Sequence, residues 1–448
     1  MSSVDCIAPD GFPIDWQLAP LGDLLAKLMD FRGRTPKKLG MDWGGGDIPA
    51  LSANNVRMGF VDFERECYLG SEELYKAWMV QGDVERHDLV FTMEAPLGNV
   101  AIIPDDKKYI LSQRVILLRP NARVVYQYLF QYLRSDAFAA LLEKNATGTT
   151  ARGIQQKRLV QLPVALPPLP EQQRIAAILT SVDDKLDVIA RQIEATQTLK
   201  QGLMQTLFSR GVGTQDAADG RWVPYTEFKD SEFGLIPGAW LVTTLGEVCG
   251  GALQTGPFGS QLHADEYQDE GIPVLMPKDL VNFRANLATA ARIAPSRAEE
   301  LAKHKVATGD ILFSRRGDVT RFALIDDRSQ GALCGTGCLK ARPTPEHNTA
   351  FISHLLQLDA VRAWLEQNAV GQTMPNMNTG ILSAVPLVVP ATKMEQDEIA
   401  GVLDTVDAKA KVLSTKQARY QELKRGLMQK LLTGEWRVKL EDAEPVAA

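Results

Sequence analysis

Several segments of the sequence combine arginine, lysine, glutamine and asparagine, the side chains best suited to contact nucleic acid. The stretch 27–38 contains five basic residues and one acidic residue, and 149–158, 254–260, 314–321 and 372–378 add further basic and amide side chains. Arginine and lysine bind phosphates and guanine, while glutamine and asparagine match adenine in the major groove. The candidate DNA-contacting residues are Arg32, Arg34, Lys37, Lys38, Arg152, Gln155, Gln156, Lys157, Arg158, Gln254, Ser260, Arg315, Arg316, Arg321, Gln372, Asn376 and Asn378.

The sequence lacks the motifs with which a chain would carry out cofactor-driven chemistry itself. It contains no Walker GxxxxGKS/T, HExxH or GxSxG motif, and no Asn/Asp-Pro-Pro-aromatic loop of an adenine methyltransferase. The acidic and basic residues of PDDKK at 104–108 are too close together for a nuclease core, and we expect a charged turn. Cys334 and Cys338, taken with His347 and His354, do not have the spacing of a standard zinc site. We therefore expect no catalytic residue, metal or cofactor in this chain.

Length and composition limit the class of protein. With 448 residues, 45% of them hydrophobic, the chain is expected to fold into two or three globular domains. The sequence has no long apolar segment and no export signal at its start, so we expect neither membrane insertion nor secretion. Five scattered cysteines are then expected to be reduced thiols in a cytoplasmic protein. The net charge of −6 disfavours a protein that coats nucleic acid alone, but it allows a basic face or a complex with more basic partners.

The most informative feature is an internal repeat. Segment 171–208 matches segment 395–432 at 17 of 38 positions, without a gap and at an offset of 224 residues. Fainter matches at offsets of 222–224 extend through the preceding regions, as in DLVF at 88–91 and DILF at 310–313. Such a long period indicates two duplicated domains rather than a solenoid. Each DNA-contacting candidate alone could be an ordinary surface residue, but the clusters recur at equivalent places in both halves.

Both conserved segments are predicted to be long helices with a coiled-coil seam. Apolar residues recur at alternating steps of three and four over about five heptads, and about 38 residues would make a rod of roughly 57 Å. The alternative is two ordinary core helices. Polar residues interrupt the seam at Thr196/Tyr420 and Lys200/Lys424, where they could set the register, bind a partner or simply be solvated. The seam residues are Ile175, Leu179, Val182, Leu186, Ile189, Ile193, Leu203, Leu207, Ile399, Leu403, Val406, Leu413, Tyr420, Leu427 and Leu431.

The variable regions are predicted to be mixed α/β. Short apolar runs at 99–103, 114–118, 310–313 and 322–325 are typical of strands, and 125–133 and 350–356 have helical spacing. Residues 209–224 have the composition of a linker. The chain is thus predicted to have an α+β fold, in which two mixed α/β domains in tandem duplication are separated by two long helices that form an antiparallel coiled coil.

These motifs resemble the specificity subunits of type I restriction–modification systems. LPPLPEQQRI at 166–175 is similar to the family's entry into its conserved helix, and GLMQ at 202–205 to the end of that helix. TGPFGS at 255–260, GDILFSRRGD at 309–318 and GQTMPN at 371–376 are similar to target-recognition motifs. RGRTPK at 32–37 and IPALS at 48–52 are similar to such motifs in the first half. One departure is PATKME at 390–395, which lacks the PPLP lead-in of the first copy.

The resemblance implies two target recognition domains, each reading half of a bipartite DNA sequence. The domain boundaries that we assign are target recognition domain 1 at 1–170, helix 1 at 171–208, a linker at 209–236, target recognition domain 2 at 237–394, helix 2 at 395–432 and a tail at 433–448. It also implies two methyltransferase subunits that use S-adenosylmethionine to methylate adenine. Two translocase–endonuclease subunits that use ATP and Mg²⁺ would join them. The paired helices would act as scaffold and spacer, placing the half-sites about one to one and a half DNA turns apart.

A second hypothesis is a coiled-coil protein-interaction scaffold without a DNA-reading role. The acidic net charge favours it mildly, and it needs no base contacts. The two hypotheses differ in whether the chain binds DNA, alone or with a methyltransferase partner.

Overall fold

The computed structural model describes residues 12–148, 152–216, 218–231, 233–257, 261–371 and 375–439. The described residues form two compact units. Unit 1 contains those up to Arg191 together with those from Thr415 onward, and unit 2 contains Gln192–Ser414. Each long helix is therefore divided between the units, whereas the sequence suggested one helix for each half.

Unit 1 contains a four-stranded sheet, a three-stranded sheet and a two-stranded ribbon. The larger sheet has the order β2-β8-β5-β6, the smaller one β4-β3-β7, and β1 pairs with β9. Its strands are β1 Gln17–Pro20, β2 Leu25–Asp30, β3 Ile48–Leu51, β4 Tyr68–Gly70, β5 Leu89–Met93, β6 Leu97–Ile102, β7 Ile110–Leu111, β8 Val115–Pro120 and β9 Pro163–Leu166. Its short helices are α1 Glu72–Trp78, α2 Tyr126–Leu133, α3 Asp136–Asn145 and α4 Gln156–Leu159, with 3₁₀ turns at Leu21–Leu24 and Pro36–Leu39.

The long helix α5, Leu169–Arg210, begins in unit 1 and ends in unit 2. Pro167 and Pro168 stand just before it, where the missing N–H of proline costs no helical hydrogen bond. Gly211 follows its last residue in a left-handed conformation with φ of 66°, as is usual for a residue that ends a helix.

Unit 2 repeats this architecture and adds to it. Strands β14 to β24 include a ribbon β14-β24, a three-stranded sheet β19-β16-β22 and a six-stranded sheet β15-β23-β20-β21-β18-β17. The strands are β10 Thr214–Gln215, β11 Trp222–Val223, β12 Phe228–Ser231, β13 Gly234–Pro237, β14 Leu241–Thr244, β15 Leu253–Thr255, β16 Ile272–Leu275, β17 Leu280–Val281, β18 Phe283–Ala285, β19 Ala291–Ile293, β20 Ile311–Ser314, β21 Phe322–Leu324, β22 Leu333–Cys334, β23 Cys338–Ala341 and β24 Pro386–Val389. The helices are α6 Leu245–Val248, α7 Pro295–Glu300, α8 Thr349–Leu355, α9 Asp359–Asn368, α10 Thr379–Ser383 and α11 Lys393–Leu431, with 3₁₀ turns at Ala264–Glu266, Pro277–Asp279 and Ala302–His304.

The predicted α+β class, with duplicated mixed domains and two long helices, is confirmed. Helix α5 extends the predicted 171–208 by two residues at each end, and α11 starts two residues before the predicted 395. The segment 209–236, assigned to a linker, contains the end of α5 and two hairpins: β10 pairs with β11, and β12 pairs with β13. The polar composition of this segment led to the prediction of a linker, although its residues pair locally as strands.

The long helices pack in an antiparallel manner within each unit. In unit 1, Ile175 and Leu179 share a core with Leu431 and Leu432, and in unit 2, Leu207 shares a core with Ile399 and Leu403. Every predicted seam residue is buried or half-buried. Burial of this stripe against a partner helix explains why α5 and α11 are far longer than the roughly 11–12 residues of an average helix.

Candidate nucleic-acid interface

In unit 2, two loops that carry candidate residues are bonded to each other. We name them loop pair 2: the hairpin loop 314–321 between β20 and β21, and the segment 370–378, of which 370–371 and 375–378 are described. Gly317 N donates to Pro375 O at 3.0 Å, and Met377 N donates to Arg315 O at 2.9 Å. Arg316 and Asn376 form an antiparallel bridge. The structure therefore brings Arg315, Arg316 and Asn376 together, although about 60 residues separate them in sequence.

The polar groups of loop pair 2 are incompletely satisfied. Arg316 is exposed, and its guanidinium contacts no acceptor among the described residues. Within the same part of the chain, Arg315 Nε and Asn376 Oδ1 are buried without a hydrogen-bond partner. Buried polar groups are nearly always paired in folded proteins. Of these three groups, only the exposed guanidinium of Arg316 is accessible to a ligand, while the two buried atoms are without a partner among the described residues.

Unit 1 contains an equivalent arrangement, loop pair 1, formed by residues 93–97 and by the described part of 147–154. Glu94 and Thr147 both form antiparallel bridges with Gly153, and Ile154 N donates to Met93 O at 3.1 Å. Met93 N donates to Arg114 O at 2.8 Å, just as Arg315 N donates to Gly337 O at 2.8 Å in unit 2. The duplication therefore preserved the backbone framework of both loop pairs.

Side chains on the two frameworks differ. Glu94 occupies the position of Arg316, and its carboxylate lies 3.3 Å from Arg114 Nε. Both of these side chains are about half-exposed, at 45% and 49%. Neither was among the sequence candidates. Shifting Arg316 by the 222-residue offset would have identified Glu94. Arg114 has a positive φ of 66° and corresponds to Gly337 of unit 2, so residue type gave no sign that it lies beside Glu94.

The basic residues near the start of unit 1 are partly structural. Arg32 forms a bidentate pair with Asp30, with Nη2 to Oδ2 at 2.6 Å, and this hydrogen bond raises the pKa of Arg32. Arg34 donates to Ala77 O and Trp78 O at 3.2 and 2.7 Å, which ties it to the end of α1. Lys38 Nζ donates to Gly33 O, while Lys37 is exposed.

The second basic cluster of unit 1 lies on and before α4. Gln155, Lys157 and Arg158 are exposed, and Arg158 Nη1 donates to Asn145 Oδ1 at 3.3 Å. Arg152 forms an ion pair with Glu143. Gln156 lines a shallow polar groove together with Asp30, Arg32 and Gln81, so one residue from each of the two candidate clusters of the first half lies there.

The remaining candidates of unit 2 have mixed roles. Asn378 caps α10, with Oδ1 accepting from Ile381 N at 2.8 Å, and is better explained by this structural role. Arg321 donates to Pro277 O and pairs with Asp318 at 3.5 Å, yet it stays 41% exposed. Gln254 Nε2 lies 3.5 Å from His304 Nδ1, and burial lowers the pKa of that histidine. Ser260 and Gln372 lie outside the described residues.

Ion pairs with buried aspartates anchor the strands that carry both loop pairs. In unit 1, Arg119 Nε and Nη2 donate to Asp88 Oδ1 and Oδ2, each at 2.8 Å. In unit 2, Arg342 donates in the same way to Asp310 at 2.6 and 2.7 Å. The carboxylates precede β5 and β20, whose other ends lead into the loops. Bidentate pairing fixes orientation as well as distance, so these pairs help to position the strands that lead into the loop pairs.

Among the described residues, no group of three or more histidine, cysteine, aspartate or glutamate side chains has the arrangement of a metal site. Cys334 and Cys338 lie in a hydrophobic core, and burial raises the pKa of the Cys334 thiol to about 12. Cys67, Cys249, Cys334 and Cys338 are free thiols. Within the described part of the chain, no helix combines the length and apolar character needed to cross a membrane.

Comparison with known proteins gives consistent results. The model of the type I restriction modification DNA specificity domain matches residues 13–197 and 237–425. The type I restriction enzyme MjaVIII specificity subunit of Methanocaldococcus jannaschii is 24% identical over 436 residues, covering 95% of this chain and 94% of that protein. Both halves of the chain are therefore matched by one family.

Solved structures share the fold. The crystal structure of the type I restriction–modification S subunit from M. genitalium superposes with a TM-score of 0.60 at 15% identity, covering 93% of this chain and 96% of that one. A chain from a study of complex assembly and conformational transition of the type I R-M system superposes with a TM-score of 0.53 at 20% identity, covering 95% and 99%.

Proposed function

The chain belongs to the family of type I restriction modification DNA specificity domains, and from that membership we propose that it is the DNA-binding specificity subunit of such a system. The observation that carries this conclusion is the match of two specificity domains to residues 13–197 and 237–425, each of which contains one loop pair. The scaffold hypothesis gains no support from the family match, because the matched domain is one of DNA specificity.

We propose that each loop pair reads one half of a bipartite target. Loop pair 2 presents the exposed guanidinium of Arg316, which has no partner among the described residues and is a donor that suits guanine O6 and N7 or phosphate. Loop pair 1 presents Glu94, whose carboxylate can accept a hydrogen bond from cytosine N4 in the major groove. Arg114, and Gln156 in the polar groove, would then contact the flanking phosphates.

The chain would supply recognition, while separate subunits supply catalysis. We propose two methyltransferase subunits that use S-adenosylmethionine, and two translocase–endonuclease subunits that use ATP and Mg²⁺, assembled on this chain in the cytoplasm. The net charge of −6 supports a recognition subunit that binds DNA as part of a complex, because a free-standing DNA-binding domain usually carries a basic excess.

The two long helices would set the distance between the half-sites. With 42 residues, α5 is roughly 63 Å long at about 1.5 Å per residue. Shortening both helices by one turn is expected to shorten the unread spacer in the target.

Gel-shift titration tests the proposed function most simply. The purified full chain is titrated onto duplexes, with and without its methyltransferase subunit, after mapping of methylated adenines has given the target. We expect tighter binding of the target than of a scrambled duplex when the methyltransferase is present. Equal affinity for both duplexes under all conditions would contradict a role in specificity.

A further inference from the structure

Two charged pairs link the long helices, and the duplication relates one pair to the other. In unit 1, Lys424 Nζ lies 2.6 Å from Asp183 Oδ1. In unit 2, Lys200 Nζ lies 2.7 Å from Asp407 Oδ1. At the offset of 224 residues, Asp183 corresponds to Asp407 and Lys200 to Lys424. Each helix thus contributes one aspartate and one lysine, and the chain carries the same contact twice.

Both lysines occupy positions that a coiled coil would normally fill with apolar residues. The Lys424 side chain is 10% exposed and that of Lys200 is 20% exposed. Burial, with the nearby charge of Arg134, lowers the pKa of Lys424, and the hydrogen bond to Asp183 opposes this effect. Such groups reduce stability unless they are paired, but a polar residue in a coiled-coil seam can specify the register.

The pairing exists in only one register. If the helices slid by one heptad in one direction, antiparallel counting would place Lys424 opposite Ala176 and Lys200 opposite Ala400. A slide in the other direction would place Asp183 opposite Leu431 and Asp407 opposite Leu207. In neither case does any of the four charges meet an opposite charge. The apolar stripe, by contrast, repeats at each heptad and discriminates poorly between registers.

We propose that Asp183, Lys424, Lys200 and Asp407 are positioning residues that select the register of the two long helices, and thereby the spacing of the two half-sites. The four residues make these contacts whatever the function of the chain, whereas the effect on spacing rests on the proposed function. A one-heptad slide moves one helix by about 10.5 Å along the other, which equals about three base pairs of DNA.

The principal variant removes both lysines, K200M/K424M, in the full chain. Loss of Lys424 leaves Asp183 paired with Arg134 at 3.0 Å, so K424M alone is a tolerable background. On that background, K200D should disrupt the remaining pair, and K200D/D407K should restore it with reversed charges. The matched control is the swap D187R/R191D, an ion pair on the same helix whose side chains are 66% and 69% exposed.

Cysteine cross-linking reports the register without any DNA. By antiparallel counting, Leu186 lies opposite Gln421 in the observed register and opposite Met428 after a slide of one heptad. With the original charges we expect disulfide formation in L186C/Q421C and not in L186C/M428C. In K200M/K424M the second pair should cross-link in a substantial fraction of molecules. The charge-reversed K200D/D407K on the K424M background should again form the disulfide in L186C/Q421C and not in L186C/M428C. The control swap D187R/R191D should leave the cross-linking of both cysteine pairs unchanged.

Mapping of methylated adenines with the methyltransferase subunit gives the second readout. The shifted register should add targets whose spacer differs by about three base pairs. An unchanged cross-linking pattern in K200M/K424M would overturn the selection of register by these pairs. A shifted pattern with an unchanged spacer would overturn its effect on the target. Absence of methylation with the original chain would count against the proposed function, while cross-linking would still decide the register.

Discussion

Units 1 and 2 share their supporting contacts and differ in the loop pairs that we propose as reading surfaces. Trp16 Nε1 donates to Glu171 Oε2 at 3.1 Å, and Trp240 Nε1 donates to Glu395 Oε2 at 3.2 Å. The Asp–Arg pairs under the strands and the Asp–Lys pairs between the helices are duplicated as well. The loop pairs, however, present Glu94 in unit 1 and Arg316 in unit 2. Contacts that hold the framework were kept after duplication, and the loop side chains that we propose to contact DNA diverged.

Two further differences concern structure rather than chemistry. The larger sheet has four strands in unit 1 and six in unit 2, because β17 and β18 extend the second sheet. Glu171 is paired by Arg437, whereas Glu395 accepts hydrogen bonds from Tyr225 and from the backbone of 212–213. In unit 1 the buried glutamate is thus paired with a guanidinium from the C-terminal segment. In unit 2 it is bound by a tyrosine hydroxyl and backbone N–H groups from the segment that follows α5.

The largest expected effect comes from the buried Asp–Arg pairs. Asp88 is 3% exposed with an Arg119 that is 19% exposed, whereas Arg342 beside Asp310 is 51% exposed. We expect Arg119→Ala to destabilise unit 1 by about 3–5 kcal/mol, since it leaves a buried carboxylate uncompensated. Arg342→Ala should cost about 1–3 kcal/mol: Asp310 is itself 1% exposed, but removal of the half-exposed Arg342 side chain would let water reach its carboxylate. Urea unfolding followed separately for each unit measures both, and equal losses would contradict the distinction.

The second prediction concerns the buried glutamates at the starts of the long helices. Arg437→Ala removes two hydrogen bonds from Glu171, whose side chain is 2% exposed, and should destabilise unit 1 by about 3 kcal/mol. Tyr225→Phe removes one of several donors to Glu395 and should cost about 1 kcal/mol in unit 2. Thermal unfolding of the two variants compares them. A larger loss in Tyr225→Phe would show that the two glutamates are not supported as described.

The third prediction tests the reading surfaces. Arg316→Ala should weaken binding of the target by about 1–3 kcal/mol and relax specificity within one half-site. Binding to scrambled duplexes, measured at the same salt concentration, is the control. If both affinities fall equally, Arg316 contacts phosphate rather than a base. Glu94→Gln should affect only the other half-site.

The smallest expected effect is the pH dependence of the pair in unit 1. Burial by itself would raise the pKa of Asp183, but the charge of Arg134 and the hydrogen bond from Lys424 lower it overall. A carboxyl group with a lowered folded pKa stabilises the fold above its unfolded pKa, and this contribution is lost as the pH falls through the folded value. The difference in melting temperature between the original chain and Asp183→Asn should therefore be constant near pH 7 and shrink below about pH 4. A difference that grows in acid would contradict this sign.

Much of this architecture follows from the sequence because the repeat is long and the seam is periodic. The 224-residue repeat of the helical segments predicts both long helices within about two residues, and the 222-residue offset of the regions before them would have led from Arg316 to Glu94. The Asp–Lys pairs between the long helices were harder to predict. Lys200 and Lys424 interrupt the seam in a visible way, but only the fold shows that Asp183 and Asp407 lie opposite them.

The individual DNA-contacting candidates were harder to predict, because residue type does not distinguish a reading side chain from a structural one. Arg34 and Asn378 have the right chemistry and yet bind the backbone at helix ends. Which candidates contact bases stays a prediction. Arg315, Arg316 and Asn376 come together only through hydrogen bonds between two distant loops, and such contacts leave no periodic signal in the sequence.

The most direct test of the account is to give the chain two copies of one reader. Residues 13–166 are replaced by residues 237–389, which retain the tryptophan that pairs with the glutamate at the start of the helix. Methylated adenines are then mapped in cells that express this chain with the methyltransferase subunit. We predict a target that carries the second half-site at both ends, with the original spacer. A target that keeps the first half-site would contradict the claim that each unit reads its own half of the DNA.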